Sequence, residues 1–141
     1  MTCARVLILG AALMAAGCGD EVSTPTSASS TTTASMTQLF TGVIPVKGTK
    51  FYSYTVTTAG TVSAMFASLT TGGGAVVVRS MELGIGVPAG TGCAVREVIN
   101  TTPALVPQLT QEAAVGVYCV SIADVEGLPA PMNFAIRIVH P

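Results

Sequence analysis

Tryptophan is absent from this 141-residue chain, and aromatic residues make up only 5% of it. Stacking platforms for bases or sugar rings would therefore rest on very few side chains. Charge is scarce as well: 9% of residues are charged, the formal net charge is −1, and Lys and Arg nowhere cluster. A nucleic-acid binder neutralises several phosphates at once, so no nucleic-acid partner is expected. Histidine occurs once, at His140 beside Pro141, a position that reads as solvated rather than catalytic. G-x-S-x-G, H-E-x-x-H and Cys/His metal spacings do not occur. A glycosidase pair would have to be drawn from Glu82, Glu97, Glu112, Asp124 and Glu126, none of which stands in a recognisable motif. The expectation is a protein without catalysis and without a cofactor.

Long apolar runs are also missing, apart from Val6 to Gly17. At about a dozen residues this run falls short of the roughly 20 that a helix needs to cross a bilayer. Arg5 precedes it and the small residues Ala15, Ala16 and Gly17 close it, which is the layout of a secretory leader. Ala15-Ala16-Gly17-Cys18, followed by Gly19-Asp20, resembles a bacterial lipobox, with Ala15 where that family usually carries Leu. The alternative is an ordinary signal peptide cut nearby.

The lipobox resemblance implies that residues 1–17 are removed as a lipoprotein signal peptide and that Cys18 is acylated with two or three chains. Each buried methylene contributes about 0.8 kcal/mol, so two or three chains hold firmly where one holds marginally. The partner so implied is the membrane, reached through lipid on the extracytoplasmic side of a bacterial envelope. Gly19 in place of Asp after the cysteine resembles lipoproteins of the outer membrane or cell surface. Loss of Arg5 with the leader leaves five basic residues against seven acidic ones.

Four cysteines occur. Cys3 departs with the leader and Cys18 takes lipid, which leaves Cys93 and Cys119 as one pair in an oxidising space, expected to form a disulfide. Its loop of about 27 residues contributes roughly 3–4 kcal/mol in the chain-entropy model. A nucleophilic or redox role would need a thiolate-promoting neighbour, and there is no C-x-x-C and no nearby histidine.

Residues 18–37 are rich in Ser, Thr and Ala and show no hydrophobic period, so they read as a flexible tether. As a random coil, this tether holds the domain about 25 Å from the membrane. Residues 38–141 read as a single β-sandwich. Short apolar stretches of period two recur there between Gly, Pro, Asn and Asp clusters, and no amphipathic helix is convincing. Leu39 to Val46 reads as a strand, and Lys50 to Thr57 and Thr61 to Leu69 as a hairpin. Ala75 to Val78 is strand-like, Met81 to Val87 is a further strand, and Thr91 to Ile99 and Ala104 to Val106 read as edges. Ala114 to Ile122, with Tyr118, Val120 and Ile122 inward, is joined to Met132 to His140 by what reads as a hairpin loop at Asp124 to Pro129. Thr70-Thr71-Gly72-Gly73-Gly74 lacks the Lys-Ser or Lys-Thr of a phosphate loop.

Gly42, Lys50-Phe51-Tyr52-Ser53-Tyr54-Thr55-Val56 and Gly60-Thr61-Val62-Ser63 form one pattern. With Gly116-Val117-Tyr118-Cys119-Val120-Ser121-Ile122 and Asn133-Phe134-Ala135-Ile136, it resembles the bacterial pre-peptidase C-terminal domain. That resemblance covers roughly Leu39 to Pro141 and implies a jelly-roll-like β-sandwich that is not itself catalytic. No enzyme domain accompanies it in this sequence, so a peptidase-related role does not follow.

Asp124 and Glu126 are the candidate oxygen ligands for calcium, set against their reading as a polar loop. Tyr52 and Tyr54 are read as core rather than as a ligand platform. The functional expectation is a lipid-anchored, non-catalytic module that binds or scaffolds envelope or surface protein or polysaccharide. Its rivals are a purely structural envelope protein and a secreted hydrolase.

Overall fold

The computed structural model describes residues 34–141. The leader, Cys18 and the tether up to residue 33 lie outside the described residues. What is described is all-β, with eight strands and no helix. They are β1 (Met36–Ile44), β2 (Thr49–Val56), β3 (Gly60–Thr70), β4 (Met81–Ala89), β5 (Gly92–Thr101), β6 (Leu109–Ala113), β7 (Gly116–Ala123) and β8 (Met132–His140). β1 begins at Met36, within the stretch read as the end of the tether.

Pairing follows one rule. β1 pairs with β8, β2 with β7, β3 with β6 and β4 with β5, all antiparallel. The chain is thus one long ribbon doubled back at the turn Gly90-Thr91, where Gly90 sits at φ 56°. Rolling this ribbon sets β8 beside β3 and β7 beside β4. Two sheets of four result, β1-β8-β3-β6 and β2-β7-β4-β5, and this is a jelly-roll β-sandwich.

The rolled ribbon corrects two expectations of local pairing. Lys50 to Thr57 and Thr61 to Leu69 are not a hairpin, because β2 and β3 lie in different sheets. Asp124 to Pro129 likewise crosses from one sheet to the other. Period two tells which face a residue occupies, but it carries no information about the strand alongside.

Two strand assignments also change. Ala75 to Val78 makes a single bridge, Thr70 to Val76, and leaves Val76 and Val78 exposed. Ala104 to Val106 is not a strand, and Leu109–Ala113 takes the place beside β3. Beyond the end of β6 the side chain of Gln108 stands in for a strand. Its Oε1 accepts from the Phe66 amide at 2.8 Å and its Nε2 donates to the Phe66 carbonyl at 3.3 Å. This pairing falls where the β3–β8 register shifts between Phe66 and Ser68.

The core lies between the two sheets. Val62, Phe66, Phe134, Ile136 and Ile138 come from one side, and Tyr54, Val56, Leu83, Ile85, Val120 and Ile122 from the other. Each fully buried aliphatic or aromatic side chain contributes about 1.5–3 kcal/mol of transfer free energy. The alternation that places Phe134, Ile136 and Ile138 inward continues to His140, which is fully buried rather than solvated. Its ring packs on Tyr54 with centroids 5.5 Å apart, and its Nδ1 lies 2.9 Å from the Pro141 carbonyl oxygen.

Candidate functional site

The outer face of β2-β7-β4-β5 is where small residues and one carboxylate come together. Register sets them in two rows, Phe51, Ser121 and Gly84 in one, and Thr49, Ala123 and Glu82 in the other. Side chains two apart on a strand share a face, so these six all point away from the core while Lys50 points to the opposite side. Gly84, Ser121 and Ala123 are small and lie on the two central strands, which makes the middle of the face low.

β5 builds a wall over this floor. Cys93 and Cys119 are at disulfide distance, as expected, with Cα atoms 5.9 Å apart. Yet β4 lies between β5 and β7, and residues two strands apart in a flat sheet would stand about 9–10 Å apart. The start of β5 therefore curls over the outer face, aided by the register shift at Ile85 and Gly86. Glycine is required beneath it. A Cβ at Gly86 would collide with the Ala94 carbonyl, and one at Gly84 would come within 2.6 Å of Val95 Cγ1 and 2.8 Å of Ser121 Oγ.

The hollow so formed has a volume of about 380 Å³, and Phe51, Cys93 and Val95 are among the residues that line it. That lies at the small end of the range for ligand sites. Thr49, Thr91 and Ser121 are also among its lining residues, and Glu82 is the only charged one among the described residues. Ser121 is 6% exposed. The opposite sheet carries a hollow of about 370 Å³ on its own outer face, lined by Thr41, Ser68, Thr70 and Asn133 among others, with no charged residue among the described ones.

Asp124 occupies a different place. Its Oδ2 accepts from the Lys47 amide at 2.6 Å and the Leu128 amide at 2.7 Å, and its Oδ1 from the Gly127 amide at 2.8 Å. Burial alone would raise its pKa, but these backbone N–H groups outweigh that and hold the carboxyl below its ordinary value. The same carboxylate steadies Lys47, a non-glycine residue in the left-handed region at φ 52°. Amide protons aimed at both oxygens leave the carboxylate poorly placed to bind calcium. Glu126 is exposed on the same loop. No group of three or more His, Cys, Asp or Glu side chains that could hold a metal ion forms among the described residues.

Of the two tyrosines read as core, Tyr54 lies in it and Tyr52 is half-buried against it. Tyr54 is buried, with its hydroxyl unpartnered, and stacks on Tyr118 at 6.0 Å. Tyr52 stacks on Phe40 at 5.0 Å and donates from its hydroxyl to the Thr41 carbonyl at 2.8 Å. Phe51, Ser121 and the hollow itself were not legible as a site. Glu82 stood out in the sequence only as one of five carboxylates. The available signal was the spacing of small residues, Gly84-x-Gly86 and Ser121-x-Ala123, on strands that also alternate inward hydrophobes. The chain matches no protein-family model, and no curated protein is similar to it in sequence.

Proposed function

We propose that this chain is a lipid-anchored bacterial lipoprotein, tethered through Cys18 on the extracytoplasmic side. Its β-sandwich serves there as a non-catalytic binding module for envelope or surface protein or polysaccharide. The observation that carries the reading is the Cys93–Cys119 pair at disulfide distance, because such a bridge persists in an oxidising compartment. The apolar run ending in Ala15-Ala16-Gly17-Cys18 supplies the route to that compartment and the thiol for lipid. The jelly-roll order of strands agrees with the fold implied by the likeness to pre-peptidase C-terminal domains, although fold alone does not carry function.

Side-chain placement favours binding over catalysis. Acid–base chemistry needs paired groups within reach of one reacting atom. Here His140 is sealed in the core, Asp124 is committed to backbone amides, and Glu82 is the one charge lining its hollow among the described residues. The test is expression in a bacterium beside Cys18→Ser. The parent chain is expected in the membrane fraction and Cys18→Ser in a soluble extracytoplasmic fraction. In-cell crosslinking should then recover an envelope component with the parent chain. Equal partition of both chains, or cytoplasmic retention with reduced cysteines, would overturn the proposal.

A further inference from the structure

β6 pairs with β3 only from Gly60 to Ala64, and two irregular segments continue that edge. The Gln108 and Ala104 amides donate to the Ala64 and Phe66 carbonyls, and the Val77 amide to that of Leu69. The β5–β6 and β3–β4 connections therefore lie end to end along one strand, Phe66 and Leu69 being about 10 Å apart. Leu105, Val76, Val78 and Val106 stand there at 86, 77, 71 and 64% exposure, and among the described residues only Val115 is a comparably exposed large hydrophobic. Val77 packs on the core, so its two neighbours turn outward. A Cβ at Gly72 or Gly74 would meet nothing within 4 Å, which leaves the tip of the β3–β4 connection in open space.

We propose that this corner docks on an anionic lipid surface, its aliphatic tips entering the boundary between headgroups and acyl chains. The proposal rests on the envelope reading, which brings the chain near lipid. Residues 71–80 and 102–108 hold no acidic residue and one cation, Arg79, exposed beside Val78. Apolar side chains bury at the boundary while a cation is drawn to anionic headgroups. Protein hot spots favour Trp, Tyr and Arg over Leu and Val, so lipid suits these segments better than a protein partner. Chain length agrees. β1 starts at the end of the sandwich where the β6–β7 turn carries Val115, and the apolar segments lie toward the other end, where Val43, Asn133 and Thr70 align. Residues 19–35 reach at most about 60 Å when extended, roughly twice the length of the nine-residue β1. A chain held at Cys18 can thus lay this corner on the membrane that holds it.

Tryptophan is absent from the chain, so Leu105→Trp and, at the opposite end, Val115→Trp each give a single reporter at an exposed apolar position. The full chain is incorporated into vesicles of phosphatidylethanolamine and phosphatidylglycerol carrying doxyl-labelled lipid, and into labelled vesicles of phosphatidylcholine alone. On the anionic vesicles Leu105→Trp is expected to emit at shorter wavelength than Val115→Trp and to lose most of its intensity to the quencher, while Val115→Trp loses little. Flotation of the unacylated Cys18→Ser chain measures partition, which Arg79→Gln should weaken about fivefold, the effect of one cation at an anionic surface. Val76→Ser with Leu105→Ser should weaken it at least as much. Four outcomes would each overturn the proposal: equal quenching of the two reporters, stronger quenching of Val115→Trp, an equal response on phosphatidylcholine, or a blue shift of Leu105→Trp without lipid, which would mean that a second copy covers the corner. Absence of quenching in a chain acylated at Cys18 removes the loop contact and leaves the envelope reading standing. Quenching of Leu105→Trp in a chain whose Cys18 is unmodified removes the anchor and keeps the contact.

Discussion

Cys93 and Cys119 approach to 5.9 Å between Cα atoms across a strand that separates them in the sheet. The bridge therefore does more than close a loop, since it pins the start of β5 over the glycines of β4 and so forms one wall of the hollow. Changing both cysteines to serine should lower stability by about 3–4 kcal/mol, the chain-entropy value for a loop of this length. Amides of residues 91–95 should lose protection from hydrogen exchange before the core strands do. Urea unfolding and exchange on parent and variant measure both effects. An unchanged midpoint with unchanged protection would refute the pinning role.

Gly86 and Gly42 give a controlled comparison. A Cβ at Gly86 meets backbone, the Ala94 carbonyl, whereas one at Gly42 meets the hydroxyl end of the Tyr52 side chain and the Phe134 ring. A side chain can rotate away and a bridged backbone segment cannot. Gly86→Ala should thus cost about 1–3 kcal/mol, the usual penalty of overpacking, and Gly42→Ala less. Thermal unfolding of the two variants decides, and the reverse order would contradict the crossing described above.

Asp124 predicts an acid limb. Its carboxyl titrates below its ordinary value of 3.8 in the folded chain, so the unfolded chain takes up its proton first as pH falls. The stabilisation is complete well above pH 3.8 and drains away as the pH drops through the folded value. Asp124→Asn puts an NH₂ group against one of the three amide donors and should cost about 1–3 kcal/mol at pH 7. The gap between parent and variant should narrow between pH 5 and pH 2. A gap independent of pH would mean that the charge is not what holds the loop.

Tyr54 predicts the opposite, alkaline limb. Burial first, and Tyr118 beside it second, push its phenol well above the ordinary 10.0. The folded chain keeps that proton when the unfolded chain would release it. The stabilisation is complete below pH 10 and is lost as pH rises above that value. Tyr54→Phe removes a hydroxyl that has no partner and should leave stability at pH 7 unchanged or slightly higher. It should also flatten the decline above pH 10. Chemical unfolding from pH 7 to pH 11 measures this, and a large loss at pH 7 would show that the hydroxyl is bonded after all.

The inward faces were legible because period two survives translation from sequence to sandwich. Phe134, Ile136 and Ile138 are where alternation puts them, and so are Val120 and Ile122. Extending the same alternation by two residues would have buried His140; nearness to the end of the sequence argued wrongly for solvent. Strand partners were not legible, since a doubled ribbon pairs β2 with β7 and β3 with β6, far apart in sequence. β6 was missed because Thr110-Gln111-Glu112 looks like a loop when only composition is considered. The hollow was invisible for a related reason: Phe51, Glu82 and Ser121 come from three strands, and only register sets them side by side. The cysteine pair was readable because counting cysteines needs no geometry.

Everything assigned to the envelope depends on what happens at Cys18. Intact-mass and peptide mass spectrometry of the chain recovered from bacterial membranes tests this directly. The expected product is a polypeptide beginning at Cys18 with its sulfur carrying diacylglycerol. A chain that still carries residues 1–17, or one cut elsewhere with an unmodified cysteine, would contradict it.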